Sequence, residues 1–160
     1  MNAAATIVAK VSPKPAFEFV LDADEYLAVE TRITAMHVLR RDTNSVVLGI
    51  RSYVRYPLLE TGCVIRATLS PYERIEIELE PGTLSLPGSL FVDRLRVEFR
   101  FEALPEGVRI TYAEDCVMKP TRLGRLMERL GTNWLREHVE EVTMPRLKQR
   151  LERRHGHQEA

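Results

Sequence analysis

Cysteine is scarce, tryptophan almost missing and net charge absent from this chain of 160 residues, which has two Cys, one Trp and 23 Lys+Arg against 23 Asp+Glu. Each shortage removes a class of protein. Cys63 and Cys116 lie far apart in strand-like runs, outside any CxxC or Cys/His spacing that would build a zinc site, and only neighbouring strands would let them form a disulfide. Two reduced, buried thiols are expected. A balanced charge gives no long-range field to draw nucleic acid or an anionic membrane. No apolar run approaches the length of a transmembrane helix, and Met1 to Thr6 lacks the basic-then-apolar order of a secretory signal, so a cytoplasmic protein without stable membrane insertion is expected. There is also no P-loop, GxSxG elbow, HExxH pair or dinucleotide glycine fingerprint. Phosphoryl and hydride transfer lose their support, and no cofactor or metal is implied.

What is present is an ordered change of period. Ala5 to Val11 is apolar and β-branched, and Ser12-Pro13 stops it while offering a helix start. Phe17, Val20 and Leu21 then recur at helical spacing until Asp22-Ala23-Asp24 breaks and recaps the helix before Glu25-Tyr26-Leu27. From about Ile33 to Met118 the period is two. Val46 to Tyr56 and Cys63 to Leu69 read as strands, and Arg74 to Glu80 and Arg94 to Glu102 alternate apolar with charged residues as a half-buried antiparallel sheet does. Pro105-Glu106-Gly107 predicts a hairpin into a last strand, Val108 to Met118, whereas Thr83 to Pro87 reads as a loop at the mouth of a cavity.

The remainder is helical. Leu123, Met127, Leu130, Trp134, His138 and Val142 recur every three or four residues, and Met144, Leu147 and Leu151 carry the stripe on to about Arg154. Pro145 has no N–H for the Glu141 carbonyl and should kink the helix. One domain over residues 1–154 with a disordered tail at 155–160 is expected. A sheet followed by one long helix can wrap that helix and enclose an apolar cavity.

This layout resembles the SRPBCC superfamily, also called START-like or Bet v 1-like, and within it the polyketide cyclase/dehydrase and lipid-transport group. The likeness rests on Val11-Ser12-Pro13 followed by Ala16 to Val20 and Asp22, on Arg74 to Glu78 before Pro81-Gly82, and on Val108 to Tyr112. It implies an α+β helix-grip fold: a curved antiparallel sheet of about seven strands around a long C-terminal helix, with two short helices after the first strand.

Polar residues that alternation turns inward are the candidates for function, because a buried polar group needs a partner or a ligand. On the last strand Tyr112 and Glu114 share a face with Ile110, and a carboxyl in an apolar cavity is suited to general acid/base work. The competing reading returns Glu114 to solvent or to an arginine. His37, in phase with Ile33, Ala35 and Leu39, is a second acid/base candidate, set against an ordinary core or edge histidine. Trp134 and His138, one turn apart on the helix, and Met127 above them would face a ligand or simply pack. Arg66, with Tyr53 and Tyr56, would orient a polar head, set against an ordinary arginine on the outer face of the sheet. Asp93, in phase with Leu95, Val97 and Phe99, would point inward too, set against a solvated or turn-capping aspartate at a strand start.

Three functions follow as expectations. The first is binding of a hydrophobic or amphipathic small molecule, lipid- or polyketide-like, between sheet and helix. The second is a cyclase or dehydratase using Glu114 or His37. The third is a pocket-less interaction domain. A homodimer is left open.

Overall fold

The computed structural model describes residues 1–55 and 59–155, so Tyr56 and residues 156–160 of the expected tail lie outside the described residues. Strand β1 (Asn2–Ala9) leads into helices α1 (Pro13–Leu21) and α2 (Ala23–Leu27). Six strands follow: β2 (Ile33–Arg41), β3 (Ser45–Arg55), β4 (Leu59–Ser70), β5 (Arg74–Leu79), β6 (Val92–Leu104) and β7 (Gly107–Met118). They form one antiparallel sheet in the order β1-β7-β6-β5-β4-β3-β2, so every neighbour is also a sequence neighbour except β1, which closes against β7. The C-terminal helix comprises α3 (Arg122–His138), a π turn (Val139–Thr143) and α4 (Met144–His155).

Local chemistry explains the breaks. Pro13 opens α1, where its missing N–H costs nothing. Asp22 ends α1 and caps α2, its carboxylate accepting from the N–H groups of Asp24 and Glu25 at 3.1 and 3.2 Å. Between β6 and β7 only Pro105 and Glu106 intervene, because Leu104 already pairs with Gly107. Gly107 has a φ of 148°, and a Cβ there would lie 2.1 Å from the Ala9 carbonyl oxygen, so only glycine fits the turn.

The expected apolar stripe of α3 is corrected by the structure. Leu123 and Leu130 are 43% and 49% exposed. The helix instead turns small residues to the protein: a Cβ on Gly124 would meet the Lys119 carbonyl at 2.1 Å, and one on Gly131 would meet Met1 Sδ at 2.4 Å. Gly124 thus sits against the segment that enters the helix and Gly131 against the Met1 side chain, while Leu123 and Leu130 stay exposed. Pro145 does not break the helix. The π turn just before it widens one turn, so that Val139 and Met144, five residues apart, are both buried and the inward face continues through Leu147 and Leu151.

Packing is uneven along this helix. Beneath α1 and α4, Phe17, Phe99 and Phe101 fill the interior with Leu147 and Leu151, with Phe17 set edge-on to Phe101 at 5.6 Å between ring centroids. Beneath the end of α3 the sheet and helix stand apart and leave a cavity. The two regions predict different mutational costs. Leu147→Ala should destabilise by about 2–5 kcal/mol, whereas Leu126→Ser, at an exposed site, should change stability by less than about 0.5 kcal/mol; urea melts of the two variants check this.

Candidate functional site

The cavity has a volume of about 160 Å³ and is walled mainly by apolar side chains of β3 to β7, with Met36, Leu84, Trp134 and Leu135 closing it. Its polar content is concentrated in one cluster. Strand β7 stays regular to Met118 and buries Ile110, Tyr112, Glu114, Cys116 and Met118 on one face. Glu114, 8% exposed, is flanked in the ladder by Ala3 and Val97, neither of which can satisfy a carboxylate.

Its partner is Arg32, at the entry to β2. The guanidinium meets Glu114 in two parallel contacts, Nη1 to Oε1 at 3.1 Å and Nη2 to Oε2 at 2.8 Å, while Tyr112 donates its hydroxyl to Oε2. The same guanidinium meets Glu30 through Nε and Nη2, each at 2.9 Å. Backbone bonds fix the geometry: Arg32 N donates to Glu30 Oε1, Glu30 N to the Tyr26 carbonyl, and Tyr53 N to the Arg32 carbonyl. From the C-terminal helix, His138 Nε2 lies 3.2 Å from Glu30 Oε1 and Thr143 Oγ1 donates to Oε2 at 3.0 Å. The π turn is what brings Thr143 round to this position. Among the described residues no buried side-chain polar atom lacks a partner.

The electrostatics follow from burial and pairing. Burial would raise the Glu30 carboxyl, but the Arg32 charge and the bonds from His138 and Arg32 outweigh it and hold the group well below the usual carboxylate range. Burial opposes the charge on Arg32, and the two carboxylates more than reverse this, raising its pKa. Burial, reinforced by Glu114, raises the Tyr112 hydroxyl, which therefore stays a donor. Cys63 and Cys116, free and buried on the cavity wall, are pushed up by burial to about 11 and about 12, so they are inert thiols.

The remaining candidates separate. Tyr112, Glu114, Tyr53 and Trp134 line the cavity. His138 stacks at a tilt on Trp134 with ring centroids 5.5 Å apart and is spent on Glu30. Met127 packs in a separate small cluster with Phe91, Cys116 and Met118. Arg66 faces outward, its Nε 2.6 Å from Glu80 Oε1, and is removed as a cavity residue, because the inward phase of β4 belongs to Cys63, Ile65 and Ala67. His37 is likewise corrected. A β-bulge between Ile33 and Ala35 shifts the phase so that Ile33 and Met36 face the cavity and His37 lies exposed, its ring over Gly49. Asp93 is exposed beside a similar register shift.

Sequence reasoning missed Glu30, Arg32 and Thr143. The available signal was the inward phase of Glu114, which demands a cation; nothing local to residues 30–32 distinguishes them from solvated charges at a turn. Among the described residues no group of acidic, His or Cys side chains could hold a metal, and no helix is long and apolar enough to cross a membrane.

No family model matches the chain, and no curated protein matches it. Solved structures do. Zhui aromatase/cyclase from a Streptomyces species superposes with a TM-score of 0.76 at 15% identity, covering 96% of this chain and 94% of that one. The STAR-related lipid transfer protein of Xanthomonas axonopodis gives 0.72 at 14% identity over 92% and 84%. A START superfamily protein of Mycobacterium smegmatis gives 0.69 at 16% over 95% and 97%. The chain thus has the START-like, Bet v 1-like SRPBCC fold, a curved seven-stranded antiparallel sheet gripping a long C-terminal helix.

The Arg32 cluster predicts an inverted acid response. In the wild type Glu30 is ionised in both states above the ordinary value of 4.5, so its stabilisation is complete there. As pH falls below that value the unfolded chain takes up a proton that the folded state refuses, and stability declines. Arg32→Met should cost about 3–5 kcal/mol at neutral pH. Burial then governs Glu30, so the variant should gain stability as pH is lowered from 8 to 5, where the wild type changes little; urea melts across pH distinguish the two.

Proposed function

We propose that the protein binds a hydrophobic or amphipathic small molecule, lipid- or polyketide-like, in the cavity between the sheet and the C-terminal helix. The observation that carries this is the cavity itself: about 160 Å³ of apolar-walled space with its polar groups gathered at one cluster. That volume is of the order of the roughly 150 Å³ cavity known to take up benzene, which suits a guest of one or two rings or a short chain. The structural neighbours include proteins described as an aromatase/cyclase and a lipid transfer protein, and both descriptions suit an apolar guest.

The geometry favours holding over proton transfer. Both oxygens of Glu114 already accept from Arg32 and Tyr112, which ties the side chain into the protein's own hydrogen-bond cluster. The exposed ring of His37 is remote in phase from the cavity wall. A pocket-less interaction domain would have this space filled by side chains.

Native mass spectrometry of the purified protein is the direct test, with a co-purifying or added apolar species retained in the gas phase. Ala67→Phe, which drives a ring from β4 into the cavity, should weaken uptake of such a guest by about tenfold or more at an overpacking cost of about 1–3 kcal/mol. Unchanged uptake in a folded Ala67→Phe protein would place binding elsewhere.

A further inference from the structure

We infer that the cavity selects a neutral, hydroxyl-bearing guest and discriminates against carboxylates and phosphates. The inference rests on the ligand-binding reading above and adds the chemistry of the guest's polar group.

The donors and acceptors of the Arg32 cluster do not balance. A guanidinium carries five N–H groups. In Arg32, Nε and one N–H of Nη2 go to Glu30, the other N–H of Nη2 goes to Glu114 beside Tyr112, and one N–H of Nη1 goes to Glu114 Oε1. One N–H of Nη1 is left without an acceptor among the described residues. Glu30 has no capacity to spare, since Oε1 accepts from Arg32 N, Arg32 Nε and His138, and Oε2 from Arg32 Nη2 and Thr143. Glu114 does have capacity: Oε2 accepts two bonds and Oε1 only one. The spare donor on Nη1 and the spare acceptor on Oε1 belong to atoms 3.1 Å apart, in two side chains that both line the cavity.

A hydroxyl matches this edge because it accepts and donates at one oxygen. An anion does not. Two carboxylates face one guanidinium, so the cation is more than neutralised before any guest arrives. The other donors nearby are also committed, His138 Nε2 to Glu30, and the Met1 amino group to the Cys116 carbonyl at 2.7 Å and Glu128 at 3.5 Å. A guest carboxylate would enter a poorly hydrated space against an excess of negative charge, with only one weakly available donor to receive it.

Three guests with one apolar body test this by calorimetry at pH 7: naphthalene, 2-naphthol and 2-naphthoate. The wild type should bind 2-naphthol about tenfold more tightly than naphthalene, the scale of a hydrogen bond to charged groups, and 2-naphthoate most weakly. Glu114→Gln removes the excess charge and should reduce the preference for 2-naphthol over 2-naphthoate to about threefold or less. Binding of 2-naphthoate as tight as that of 2-naphthol by the wild type overturns the inference while leaving the cavity reading intact. Equal affinity for naphthalene and 2-naphthol removes the hydroxyl contact. If none of the three binds, the cavity reading fails and this inference with it. The wild-type ranking is decisive even where Glu114→Gln does not fold.

Discussion

One guanidinium between two buried carboxylates organises this protein. Arg32 stands where the chain leaves α2 and enters the edge of the sheet, and it reaches across the interior to Glu114 on β7 while holding Glu30 beside it. Because His138 and Thr143 approach Glu30 from the C-terminal helix, the cluster connects the three parts of the fold: the short helices, the sheet and the helix it grips. Taking charges out of water is costly, and such a cluster persists only when each charged side chain is paired. Here every buried polar side chain among the described residues has a partner.

That constraint also explains the helix. A regular α-helix through residues 139–144 would place Thr143 and Met144 differently, and Pro145 cannot supply the N–H that such regularity requires. The π turn resolves both demands at once, turning Thr143 toward Glu30 and Met144 toward the core. The irregularity in the helix is therefore located at the polar cluster, as π turns often are at functional positions.

The fold was legible because it is written in periods. Alternation over β5, β6 and β7 and the three-and-four spacing of α4 survive any detail of register, the spacing in α3 marks a helix without fixing its inward face, and the Asp22 break and the Pro105-Glu106 hairpin have local chemical causes. The site was legible only in part. Glu114 and Tyr112 could be placed inward since β7 is unbroken, whereas one bulge in β2 exchanged His37 for Met36 on the inner face. Phase reasoning fails at a bulge because the side-chain period is two and a single added residue inverts it. Glu30 and Arg32 were invisible for a different reason: their meaning comes from partners 82 and 108 residues away, on β7 and on the helix.

The cavity itself is best understood as a feature that the rest of the structure supports. The sequence has ample means to fill it, since Ala67 and Cys63 on its wall are small and the filled half of the interior shows that aromatic residues pack well between this sheet and helix. The space is left open next to a polar cluster that is fully satisfied on every side but one. A void placed against the single edge that retains both a donor and an acceptor has the physical character of a binding site, with apolar walls for affinity and one point of orientation.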